Sequence, residues 1–225
     1  MGQGYFVTGT DTGVGKTLIA CALLRAFART GKSVVGMKPV AAGREGGRLA
    51  DVEALAYAST VSARAQIVNP YAFEPAIAPH IAADLAGVEI ALEPIANAYA
   101  ELSRSADVVV VEGVGGLLVP LNAAQTGADL AMRLGLPMVL VVGMRLGCLN
   151  HALLTRRQLE ASGLRCAGWV ANCIFPDMPH LDGNIRALEQ RLDCPLLGVV
   201  PFLREPTPAG VAGLLSFDAL IESAA

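Results

Sequence analysis

Gly9-Thr10-Asp11-Thr12-Gly13-Val14-Gly15-Lys16-Thr17 follows the apolar run Tyr5-Phe6-Val7 and precedes a helical pattern. A strand, a glycine-rich loop ending in Gly-Lys-Thr, then a helix is the arrangement that holds a nucleotide's phosphates. Backbone N–H groups of such a loop cradle the anion, and the helix N-terminus adds its partial positive charge. Lys16 is the candidate to reach the outer phosphates, and the Thr17 hydroxyl the candidate to ligate Mg²⁺. The spacing is a variant. The usual first glycine falls at Thr10 when counted back from Gly15, and the glycine stands one place earlier, at Gly9.

Working outward, the chain alternates. Apolar runs predict buried strands at 4–8, 33–38, 107–112, 137–143, 166–172 and 196–200. Helical patterns lie between them at 16–30, 51–58, 91–105, 126–135, 149–162 and 182–192. This alternation predicts an α/β fold, a mainly parallel central sheet with helices on both faces. The stretch 59–80 carries Asn69-Pro70, Glu74-Pro75 and Ala78-Pro79-His80 and is expected to be loop that wraps the active-site edge. His80 and His180 are read as loop residues.

Ligands in such folds bind beyond the carboxyl ends of the strands, so polar residues just past a strand are the candidates. Lys38 closes the second run and is expected to aim its ammonium at the γ-phosphate. Glu112 ends Val108-Val109-Val110-Val111 and opens Glu112-Gly113-Val114-Gly115-Gly116, the place of a Mg²⁺ partner followed by backbone that can approach phosphates. Asp51 is a weaker candidate on its own, since an Asp that opens a helix is commonly just an N-cap. Asn172 ends the fifth run, where an amide could meet a base. Asn150-His151 could start a helix whose N–H groups face an anion, or simply cap it.

At 225 residues, 53% hydrophobic and 16% charged, positions 1–225 are expected to form one domain with a substantial core. A formal net charge of −3 gives no support for nucleic-acid binding. The five cysteines, Cys21, Cys148, Cys166, Cys173 and Cys194, contain no Cys-x-x-Cys and read as free thiols of a reducing compartment. No leader pattern or membrane-spanning run is legible, so a cytoplasmic location without membrane contact is expected.

Several segments together resemble the dethiobiotin synthetase family. They are Tyr5–Thr12 running on through Val14-Gly15-Lys16-Thr17, Lys38-Pro39-Val40, Asn69-Pro70-Tyr71, Pro79-His80-Ile81, Val111–Gly116, Leu146-Gly147-Cys148-Leu149-Asn150-His151 and Ala167–Asn172. The match runs from the N-terminus to about Pro201-Phe202-Leu203, and the Leu-Gly-Cys-Leu-Asn-His and Gly-Trp-Val-Ala-Asn segments are its most specific parts. The resemblance implies ATP-dependent joining of carbon dioxide to 7,8-diaminononanoate, closing a ureido ring and releasing ADP and phosphate. By the same analogy Lys38 and Lys16 are catalytic. Thr17, Asp51 and Glu112 hold Mg²⁺. The nucleotide contacts are Thr12, Gly13, Val14, Gly15, Lys16, Thr17, Leu18, Asp51, Glu112, Gly113, Val114, Gly115, Asn172, Pro201, Phe202 and Leu203. The substrate contacts are Thr12, Lys38, Ala42, Leu149 and Asn150. The family is a homodimer, so the resemblance places Leu149-Asn150 of one subunit at the site of the other.

Three departures stand out. Gly13 replaces a larger loop residue, often Glu. Ala42 stands where family members often carry Ser, so a hydroxyl contact to substrate is missing. After Leu203 the stretch Arg204–Pro208 diverges. The alternative is a phosphate-loop ATPase switch of the partition or cell-division type. Those carry an extra lysine early in the loop, and Asp11 holds that place here.

Overall fold

The first strand lies at the centre of a six-stranded, all-parallel sheet, whose order is β2 (Val34–Met37), β5 (Val108–Glu112), β1 (Gln3–Gly9), β6 (Met138–Met144), β7 (Cys166–Cys173) and β8 (Leu196–Val200). The computed structural model describes residues 2–44, 46–218 and 220. In chain order the elements are β1 (Gln3–Gly9), α1 (Lys16–Arg29), β2 (Val34–Met37), β3 (Val40–Ala42), α2 (Ala50–Ala58), α3 (Ala65–Val68), β4 (Tyr71–Phe73), α4 (Pro79–Leu85) and α5 (Leu92–Ser105). They continue with β5 (Val108–Glu112), α6 (Gly127–Leu134), β6 (Met138–Met144), α7 (Cys148–Ala161), β7 (Cys166–Cys173), α8 (Leu181–Glu189), β8 (Leu196–Val200) and α9 (Pro208–Ala212).

The strands are apolar throughout because both faces of the sheet are covered, and successive side chains serve opposite cores. Tyr5, Val7, Val108, Val110, Val139, Val141 and Val170 face α1, α2 and α9. Phe6, Val109 and Val111 face the layer of α5 and α6, and Leu140, Val142, Trp169 and Ala171 face α7 and α8. Each predicted strand and helix forms, with ends within three residues of the expectation. Among the described residues no helix is long and apolar enough to cross a membrane.

The stretch 59–80 corrects the reading as plain loop. It holds α3, β4 and the start of α4, with His80 in the first turn of that helix. A second, two-stranded sheet pairs β3 with β4 in parallel. Asn69 secures this corner, its amide donating to the carbonyls of Lys38 (2.6 Å) and Tyr71 (3.0 Å). His180 lies in the turn before α8 as expected. The divergent tail also has a structure. Thr207 caps α9, accepting from the Gly210 N–H at 3.2 Å, and Val211, Leu215, Phe217 and Leu220 join the core beside α1.

Candidate functional site

The carboxyl ends of β1, β2 and β5 lie side by side because β5 sits between the other two. From β1 the chain enters the glycine-rich loop, where Gly13 (φ 74°) and Gly15 (φ 95°) take left-handed backbone that side chains disfavour. Gly15 precedes α1 directly. Lys16 curls back over the loop, and its ammonium donates to the Asp11 carbonyl at 2.8 Å. Burial first, and then Lys38 nearby, lower its pKa to about 8. The loop thus holds a cation short of anionic partners, which is the electrostatic condition for receiving phosphate.

From β2 comes Lys38, only 3% exposed. Its ammonium donates to Glu112 Oε1 at 2.5 Å, to the Gly113 carbonyl at 3.2 Å, and lies 3.2 Å from Asp51 Oδ2. Burial opposes its charge, but Glu112 and Asp51 outweigh that and hold its pKa above the ordinary lysine value. The Thr17 hydroxyl donates to the same Glu112 Oε1 at 2.9 Å. One buried cation, two carboxylates and a hydroxyl therefore form a single cluster next to the phosphate loop. Asp51 sits in the first turn of α2, half exposed, with its carboxylate toward Lys38.

Glu112 Oε2 is buried with no hydrogen-bond partner. Such an orphaned acceptor is costly unless something is meant to fill it. Thr17, Asp51 and Glu112 are hard oxygen donors, the kind a cation such as Mg²⁺ takes. Among the described residues no cluster of three or more His, Cys, Asp or Glu could cage a metal alone. The donor set fits an ion held partly by nucleotide phosphates, as Mg²⁺ commonly is.

The other predicted residues fall around this cluster. Thr12 is exposed on the loop, its N–H donating to Asp11 Oδ1 at 2.8 Å. Val14 is buried, and its carbonyl accepts from the Asn172 amide at 2.8 Å. Leu18 lies in the first turn of α1. Gly113 and Val114 follow Glu112, and Gly115 (φ 58°) runs against the phosphate loop near Thr12. Pro201, Phe202 and Leu203 are exposed just past β8. Ala42 ends β3, and Leu149 with an exposed Asn150 lies in the first turn of α7. Among the described residues Ala42, Leu149, Asn150 and 201–203 make no hydrogen bond or ion pair with the Lys38 cluster.

Two features escaped the sequence reading. Arg145, just past β6, pairs with Asp11 of the phosphate loop. The strand-end rule that selected Lys38 and Glu112 would have selected it as well. Next to this pair a groove of about 430 Å³ opens between the phosphate loop, Gly116–Pro120 and α7, lined by Asp11, Leu118, His151 and Leu154 among others. A groove contributed by three separate segments has no signature in any one of them.

Comparison with known proteins extends this picture. A family model described as "AAA domain" matches residues 3–209. The ATP-dependent dethiobiotin synthetase BioD of Nitrosospira multiformis is 59% identical over 215 residues, 96% of this chain and 95% of that one. The enzyme of the same name from Aromatoleum aromaticum is 51% identical, over 95% of this chain and 96% of the other. Solved structures with a similar fold are more distant in sequence. The MinD cell division protein of Aquifex aeolicus is 17% identical with a TM-score of 0.59, covering 99% of this chain and 95% of that one. The signal recognition particle 54 kDa protein of Aeropyrum pernix, in complex with GDP, is 16% identical with a TM-score of 0.57, covering 92% of this chain and 42% of that one. The distant likenesses reflect the shared fold, whereas the close ones run nearly end to end: the chain belongs to the ATP-dependent dethiobiotin synthetase family.

Proposed function

We propose that this chain carboxylates 7,8-diaminononanoate and closes the ureido ring of dethiobiotin, consuming ATP. One amine of the diamine takes up carbon dioxide and loses a proton, giving a carbamate. A carbamate oxygen attacks the γ-phosphorus, breaking its bond to the β–γ bridging oxygen and releasing ADP. The second amine attacks the carbamoyl carbon of the mixed anhydride, and phosphate leaves.

The observation that carries this reading is the Lys38–Glu112–Asp51–Thr17 cluster at the strand ends beside Lys16. An anionic carbamate must approach an anionic phosphate, so positive charge has to be fixed in place before the reaction. Lys16 and Lys38 are both buried, Lys16 as the first residue of α1 and Lys38 just past the end of β2. Their burial at the carboxyl ends of the strands keeps positive charge close to where the reacting phosphoryl group would lie. Thr17, Asp51 and Glu112 would hold Mg²⁺, which supplies further neutralisation of the phosphates when bound. Asn172 and 201–203 would border the adenine.

The groove against α7 supports a diamine site, since it joins the phosphate loop to an apolar wall suited to a hydrocarbon chain. Leu118 and Leu154 are exposed on its lining (54 and 62%) and Leu146 is fully exposed just before α7, which supports a homodimer whose α7 N-terminus completes the neighbouring site. The free thiols suit the reducing cytoplasm.

Purified protein supplied with ATP, Mg²⁺, bicarbonate and 7,8-diaminononanoate should release phosphate only when the diamine is present. Release at an equal rate without diamine would reject the synthetase reading in favour of a simple ATPase.

A further inference from the structure

We propose that Lys38 acts as a built-in cation that closes the divalent-metal site while no nucleotide is bound, so that the metal enters only together with the nucleotide. This rests on the proposed reading of Thr17, Asp51 and Glu112 as the metal ligands.

The geometry makes the competition direct. The Lys38 ammonium touches both carboxylates of that ligand set, Glu112 Oε1 at 2.5 Å and Asp51 Oδ2 at 3.2 Å. The Thr17 hydroxyl donates its proton to the same Glu112 oxygen, so its position too is set by the closed arrangement. Glu112 is 1% exposed and Lys38 3%. A carboxylate buried to that degree needs a partner cation, because an unpaired one is strongly penalised. Lys38 meets that need without metal. A divalent ion coming alone would meet a carboxylate pair whose charge is already halved and an ammonium that repels it. Nucleotide changes the balance, because its phosphates are new anions beside Lys16 and can receive Lys38 once it leaves Glu112. Lys38 thereby alternates between two anionic partners: carboxylates in the free protein, phosphate in the loaded one. The exchange keeps the buried charge compensated at each stage, and it releases Lys38 toward the reacting phosphoryl group only when the metal has taken its place.

Binding of Mn²⁺ followed by electron paramagnetic resonance tests this on the whole protein without turnover. The free wild-type protein should hold Mn²⁺ weakly. Lys38→Met, which removes the ammonium and keeps the hydrocarbon stem, should bind Mn²⁺ without nucleotide at least about tenfold more tightly. Lys38→Arg, which keeps the charge, should bind as weakly as wild type. Equal Mn²⁺ affinity in wild type and Lys38→Met overturns the proposal. So does wild-type protein that binds Mn²⁺ as tightly alone as with ADP. If Lys38→Met does not fold by itself, excess Mg²⁺ should restore its thermal unfolding transition, and a lack of rescue overturns the proposal. Failure of the ligand set reads differently: Glu112→Gln then leaves Mn²⁺ binding in the presence of ADP unchanged, and this inference falls with it.

Discussion

Gly13 and Gly15 stand two residues apart in the phosphate loop, both in left-handed backbone, yet their surroundings differ. A Cβ at Gly13 would meet nothing within 4 Å. A Cβ at Gly15 would come within 2.2 Å of the Asn172 amide nitrogen, which donates to the Val14 carbonyl. Gly13→Glu therefore carries only backbone strain, about 1–2 kcal/mol of unfolding free energy, and should keep nucleotide affinity within a few-fold. Gly15→Ala carries that strain and also displaces Asn172, detaching β7 from the loop. It should lower nucleotide affinity by at least about tenfold, equivalent to about 1.4 kcal/mol. Titration calorimetry with ADP beside thermal unfolding separates the two, and matching losses at both positions would contradict this account. Much at this scale was legible. The positions of Lys16 and Thr17 were readable from the glycine-rich loop that they close, and those of Lys38 and Glu112 because a polar residue ending an apolar run is conspicuous. Their mutual contact was not, since Lys38 and Glu112 are 74 residues apart and meet only because their strands are neighbours. Arg145 obeys the same rule but is inconspicuous among the glycines and leucines that surround it.

At the scale of elements, α6 shows how a short helix is fixed in place. Its eight residues follow the long loop that leaves Glu112, and isolated helices of that length are unstable. Thr126 and Asp129 form a reciprocal cap, the Thr126 N–H and hydroxyl both donating to Asp129 Oδ2 at 2.7 Å. Asp129→Ala should cost about 1 kcal/mol by urea unfolding at neutral pH. The Thr126 hydroxyl, then its N–H, hold the Asp129 carboxyl below the usual aspartate range. The unfolded chain therefore binds this proton more readily, so the contribution is present above the ordinary carboxylate pKa and is lost as pH falls through the lowered one. The gap between wild type and Asp129→Ala should narrow steadily as pH falls below the ordinary carboxylate range; a gap independent of pH would refute the assignment. The strong periodic elements were all legible because each buries a repeating pattern. β3, β4 and α9 were not. Two three-residue strands that exist only by pairing with one another carry no periodicity, and α9 is five residues anchored by contacts with α1 from the other end of the chain.

At the scale of the whole molecule, the strand order decides which loops can cooperate. With β1 central, β5 and β2 on one side and β6, β7 and β8 on the other, the chain reverses direction across the sheet beside β1, the place where ligands bind in such sheets. The Asp11–Arg145 pair joins the loops on either side of that point, and the groove beyond it opens toward α7. Leu146 is fully exposed at the entrance of α7, and Leu154 lies two turns further on at 62%. Leucines so exposed near this groove are costly in water and would be accounted for by a second copy that covers them. Light scattering should therefore give twice the 23.3 kDa chain mass for the wild-type protein. The double substitution Leu146→Asp and Leu154→Asp places two charges in that contact and should return the mass of one chain. Because the residues proposed for nucleotide and Mg²⁺, Lys16, Thr17, Asp51 and Glu112, all come from α1, α2 and β5 of one chain, the monomer should still bind ADP with little change. It should lose diamine-dependent phosphate release, since the α7 N-terminus of the second copy is gone. A wild-type protein that is monomeric at assay concentration and fully active would show that one chain completes its own site, and that α7 serves the groove of its own subunit.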